Sequence, residues 1–178
     1  RLGVSNQWTR LARQRANAYR PDQFPLLKDE HIVQQLEADG LVARPSGGEL
    51  PRLLSEAGSA IAGKQYESAI VLARQALSID ERNTHAMLTL ARAYYHLGKP
   101  ALCESIVGMA QKIDDSSGEA YLLLGFLSLG REDRIAATAA FKKATELDGQ
   151  SGLAWHNLAA QYLLAKNSEQ ALVAAQRA

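Results

Sequence analysis

The chain has 178 residues, enough for one domain or one array of repeated units. Positive and negative side chains nearly cancel, leaving a net charge of +1, which excludes a global pull toward nucleic acid or a membrane surface. Alanine is abundant, aromatics make up only 6% and there is one cysteine, so a disulfide framework is excluded and closely packed helices are favoured over sheets.

Residues 1–49 form a non-repeat segment with two predicted helices. One runs from Asn6 to Tyr19, with Ser5 as N-cap and Trp8, Leu11, Ala12 and Tyr19 as its apolar positions. Arg1, Arg10, Arg13, Arg15 and Arg20 give this stretch a basic face with no acid beside it. It reads as a solvated helix docked through Trp8, with binding to an anionic membrane surface or acidic partner as the alternative. The second predicted helix runs from Asp29 to Asp39 and stops at Gly40, where Leu41 suits a Schellman cap. The run from Ile32 to Val42 is similar to a winged-helix recognition helix and strand, but Pro21, Pro25 and Pro51 crowd the remaining elements. Pro45-Ser46-Gly47-Gly48 reads as a turn or linker.

From Leu50 onward the sequence repeats every 34 residues. Leu53, Met87, Tyr121 and Trp155 share one column, and Ala57, Ala91, Gly125 and Ala159 the next. Ala69, Cys103, Ala137 and Ala171 follow, then Ala76, Ala110, Ala144 and Ala178. The units are 50–83, 84–117, 118–151 and a truncated 152–178. Each reads as two helices. In the second unit one spans Thr84–Leu97, with Met87, Leu90, Ala91, Tyr94 and Leu97 at helical spacing. Gly98 stops it, Pro100 opens the next, and Ile106, Val107 and Ala110 face inward to about Ile113. The link Asp114-Asp115-Ser116-Ser117 supplies caps for the third unit. Small residues recur where paired helices must approach closely. Cys103, in such a column, is a packing thiol. Because Ala178 falls inside the last predicted helix, the expectation is a longer parent chain, or a partner covering this end. Arg1 without a Met reads as a fragment or processed form.

These columns resemble the tetratricopeptide repeat: Tyr121, Leu124-Gly125, Ala137, Phe141 and Ala144 in the third unit, and Trp155, Leu158-Ala159, Tyr162 and Ala171 in the fourth. The second unit gives Met87, Leu90-Ala91, Tyr94, Cys103, Val107 and Ala110. Glu56 replaces an expected Leu, and Glu81, Asp115 and Gly149 replace the closing proline. The resemblance implies an all-α, right-handed solenoid of helix-turn-helix units whose first helices line a concave groove. It places Leu54, Leu88, Leu122 and His156 in one row of that groove. Gly58, Arg92, Phe126 and Ala160 form a second row, and Ile61, Tyr95, Leu129 and Leu163 a third, with His85, His96 and Asn157 beside them. This is expected to be an apolar trough with few charges. Chaperone-binding members hold a peptide's terminal carboxylate with Lys and Asn side chains. The corresponding positions here are Leu54, Gly58, Thr89, Glu119 and Leu123, so that clamp is not expected.

No enzyme signature is present. His31, His85, His96 and His156 lack metal-ligand spacing, and there is neither a Gly-rich phosphate loop nor a nucleophile elbow. No metal or cofactor is expected. The favoured function is a protein-interaction adaptor that takes an amphipathic helix or apolar peptide in the groove and helps assemble a larger complex. A foreign partner is favoured over filling by the N-terminal segment. One alternative is a transcription regulator with an N-terminal DNA-binding segment. Another is a bacterial envelope assembly factor anchored by the Arg-rich helix. The regular alanine-rich units lean toward a bacterial source. The letters fix no compartment; cytoplasm is favoured over the envelope.

Overall fold

In the computed structural model, residues 48–178 are described, and all their regular structure is helical. The two helices, the basic face around Trp8 and the Ile32–Val42 run expected earlier in the chain lie outside the described residues. Eight helices follow one another: α1 (Glu49–Ala62), α2 (Tyr66–Ile79), α3 (Thr84–His96), α4 (Pro100–Gln111), α5 (Gly118–Gly130), α6 (Arg134–Leu147), α7 (Gly152–Leu164) and α8 (Ser168–Ala175). Each packs on its neighbours in sequence, and the odd-numbered helices also meet, α1 with α3 and α3 with α5. The result is an all-α stack of helix pairs, a solenoid.

Local chemistry fixes the helix ends. Asn83, Ser117, Asp133, Ser151 and Asn167 each cap a helix N-terminus, their side-chain oxygens accepting from a backbone N–H three residues on. Pro100 opens α4, where its missing N–H costs nothing. Within each pair the corner is a Schellman turn. Gln65, Lys99, Asp133 and Asn167 donate back to the carbonyls of Ala60, Tyr94, Ser128 and Tyr162. The turn requires a left-handed residue, and Lys64, Gly98, Glu132 and Lys166 supply it with φ of 59°, 67°, 62° and 59°. Only Gly98 does so without a Cβ penalty.

The core is a series of small clusters between successive helices. Ala57, Ala91 and Ala159 are buried in one column and Ala69, Cys103, Ala137 and Ala171 in another. Gly125 shows the steric reason. A Cβ built there lies 2.6 Å from Cδ1 and 2.8 Å from Cζ of Phe141, which is fully buried. The Phe141 ring of α6 lies so close over α5 that only a hydrogen fits at this position. A second close approach recurs one unit apart. The Cβ position of Gly118 meets Ala144 O at 3.1 Å, and that of Gly152 meets Ala178 O at 2.5 Å. The repeat register therefore persists to Ala178, although α8 ends at Ala175 and Ala178 is exposed rather than buried like the rest of its column.

Gly125→Ala is expected to lower stability by about 1–3 kcal/mol through overpacking against Phe141. Gly58→Ala, in α1 with open space around the new Cβ, is expected to raise it by up to about 1 kcal/mol. Urea unfolding followed by circular dichroism separates the two.

Candidate functional site

Helices α2, α3, α5 and α6 bring a row of rings together. Tyr66, at the start of α2, stacks on His96 of α3 with centroids 4.7 Å apart and planes at 11°. Tyr95 meets the edge of His96 at 5.6 Å and stacks on Phe126 of α5, also at 5.6 Å. Phe126 then sits edge-to-face on Phe141 at 5.5 Å. Both spacing and tilt are those that the ring quadrupoles favour. The ladder crosses three helix pairs and ends in the core, so its outer rings are held by packing from behind.

Beside this ladder lies a depression of about 580 Å³. Tyr95, Leu122, Leu123, Phe126 and Leu153 give it apolar walls, and Arg92, His96, Glu119, Asp148 and Ser151 its polar rim. Arg92 of α3 and Glu119 of α5 form an ion pair across it. Of the residues expected in the groove, Arg92, Tyr95, His96, Leu122 and Phe126 come together here. Leu54 is half-buried against a cluster of α1, α2 and α3, Leu129 is half-buried on the same cluster as Leu122 and Phe126 without lining the depression, His156 is exposed, and Asn157 donates to the carbonyl of Leu153.

Two expectations need correction. Leu88 does not line an accessible groove: it is 3% exposed and joins Leu123 and Leu127 in the core between α3 and α5. Nor is the trough poor in charge, because the Arg92–Glu119 pair and Asp148 stand in it. Leu153, 54% exposed, is a wall residue that the sequence reading left unnamed. Its column holds His85, expected beside the groove, and Glu119, expected at a clamp position.

The His96 imidazole is held below the ordinary histidine value, first by burial and then by the nearby Arg92 charge. The residue is exposed, but Tyr66 stacks on one ring face and Tyr95 packs edge-on against the ring, so the imidazole itself is partly covered. Cys103 is buried, and its thiol is pushed up to about 11 by burial and by Glu104, so it has none of the thiolate character that reactive cysteines need. Among the described residues no cluster of His, Cys, Asp and Glu is arranged to hold a metal ion, and no helix is long and apolar enough to cross a membrane.

A stack of helix pairs with an aromatic-walled depression across its odd-numbered helices is a helical-repeat scaffold. Family models described as tetratricopeptide repeat match residues 60–125 and 140–173. The chain belongs to the tetratricopeptide repeat family. It is 31% identical over 120 residues to the heat-shock protein cognate co-chaperone sgt12 of Aspergillus fumigatus, covering 67% of this chain and 35% of that protein. The chain thus spans about a third of that relative's length. Among solved structures it resembles the Sgt2 TPR domain of A. fumigatus, with 26% identity, a TM-score of 0.59, and 71% and 84% of the two chains covered. It also resembles the first TPR of Spaghetti (RPAP3) bound to the HSP90 peptide SRMEEVD, at 19% identity and a TM-score of 0.57, covering 70% of this chain and 99% of that one. Pseudomonas aeruginosa pilF aligns at 19% identity and a TM-score of 0.62, with 71% and 58% covered. These relatives are fungal and bacterial, so they do not single out a bacterial source.

In an NMR titration the His96 imidazole is expected to titrate below a histidine in a blocked peptide, and Arg92→Gln to move it part of the way back. Between the lowered value and the ordinary one, the unfolded chain binds the proton and the folded chain does not. Stability is therefore expected to fall as pH drops through that window and to recover above it.

Proposed function

We propose that this chain is a non-catalytic protein-interaction adaptor whose depression between α3, α5 and the start of α7 takes an amphipathic helix or apolar peptide of a partner, and so helps build a larger complex. The observation that carries this reading is the ladder Tyr66–His96–Tyr95–Phe126 standing beside an open, apolar-walled depression. Ring faces fixed by packing lose little freedom when a ligand covers them, the property that makes aromatic side chains effective anchors. A buried apolar anchor in such a site contributes about 1.5–3 kcal/mol.

The same geometry argues against an acidic tail such as SRMEEVD as the occupant. Where a carboxylate clamp would need donors, this chain has Leu54, Gly58, buried Thr89, Glu119 and buried Leu123. Arg92, the cation that lines the depression, is already paired with Glu119. An anionic peptide would meet Glu119 and Asp148 as well.

The test is capture of partners from source-cell lysate by the wild-type chain, by Tyr95→Glu/Phe126→Glu and by Leu153→Glu, each shown to be folded by circular dichroism. Leu153 is exposed, so its substitution leaves the core intact. A partner retained by wild type and lost from both variants is the expected result, with no measurable binding of labelled SRMEEVD peptide. An unchanged partner set, or tight binding of that peptide, would refute the reading.

A further inference from the structure

We propose a second binding site, on the face between α6 and the end of α7, for an acidic and aliphatic peptide segment in extended conformation. A depression of about 570 Å³ lies there, lined by Arg134, Ile135, Thr138 and Lys142 from α6 and by Gln161 and Leu164 from α7. None of its lining residues lines the groove. The site is therefore independent of the reading above and stands or falls separately.

Three independent departures from the repeat meet in this one place. The first is Gln161. Its column holds Ala93 and Leu127 in the two preceding units, both buried and apolar. Gln161 is equally buried, at 6% exposure, yet its Oε1 has no hydrogen-bond partner. A buried polar atom is costly unless a donor reaches it, and the column's other polar member, Ser59 of the first unit, is exposed. The terminal amide torsion is broad, so the oxygen can turn toward a ligand without moving the helix.

The second departure is apolar exposure. Ile135 is 85% exposed, in a column that otherwise holds Glu67, Ala101 and Glu169. Leu164 is 56% exposed, where other units have Ala62, His96 and Gly130. The third is charge. Arg134 and Lys142, the two cations lining this depression, have no carboxylate partner among the described residues, whereas the arginine in the groove, Arg92, is paired with Glu119.

Together these select the occupant. Two unpaired cations call for acids. Ile135 and Leu164 call for an aliphatic side chain between those acids. Gln161 Oε1 calls for a free main-chain N–H, which an extended segment offers and the interior of a helix does not. A nucleic acid backbone would satisfy the cations but offers neither the aliphatic group nor the main-chain donor.

The experiment is a titration of the ¹⁵N-labelled full chain with an amide-capped hexapeptide alternating glutamate and leucine, against a control alternating lysine and leucine. The acidic peptide is expected to shift the amide signals of Thr138, Lys142 and Gln161, and to bind less tightly as salt rises. Arg134→Glu/Lys142→Glu, both at exposed positions, is expected to weaken it at least about tenfold, as reversal of close charges across an interface does. Gln161→Leu, which restores the apolar column, is expected to weaken it while the fold is kept. Leu153→Glu, in the groove, is expected to leave it unchanged. Absence of binding, equal binding of the lysine peptide, indifference to the charge reversal, or shifts confined to Tyr95 and Phe126 would each overturn the proposal.

Discussion

How closely two helices of a pair may approach is decided by what stands between their backbones, and this condition governs everything else in the stack. At Gly125 the Phe141 ring leaves no room for a Cβ. At Ala57, Ala91 and Ala159 a methyl group is the largest side chain present in that column, and all three are buried. Because each pair is drawn tight at this one level, the large residues on either side are turned outward toward the next pair. They form the small junction clusters there. The ring ladder is a by-product: Phe126 reaches Tyr95 because Phe141 already fills the space beneath it.

That condition is legible in the sequence because it leaves periodic letters. The Ala and Gly columns, the caps at Ser117 and Ser151 and the stop at Gly98 all follow from local rules that each residue obeys by itself. The corners at Lys64, Glu132 and Lys166 were less legible. A left-handed residue is advertised by glycine, and these three positions adopt the conformation without one because the Schellman hydrogen bonds enforce it. The groove was legible only as a list of outward positions. Whether Leu88 faces water or the next helix depends on how far α3 and α5 lie apart, which no single column records. The Arg92–Glu119 pair is likewise a contact between units whose partners are distant in the chain. Gln161 was visible as a letter, but its significance lies in a missing partner, which only coordinates reveal.

The two candidate surfaces differ in kind. The groove is pre-formed by stacked rings and its one arginine is already paired, so it offers shape and apolar area. The face between α6 and α7 has little shape of its own and carries unmet demands instead: an oxygen without a donor and cations without acids. A scaffold with both can hold two segments at once, and neither competes for the other's residues.

The ion pairs Arg92–Glu119 and Glu104–Arg131 fall on a single joint, between the α3/α4 pair and the α5/α6 pair. One joins the odd-numbered helices α3 and α5. The other joins α4 to the corner beyond α5, with Arg131 Nη1 2.9 Å from Glu104 Oε1. The joint is therefore tied in both layers of the stack, like a hinge pinned on its front and back leaves. Bending in either sense stretches one tie. Both ties are partly exposed, so added salt screens them and loosens both leaves of this joint together.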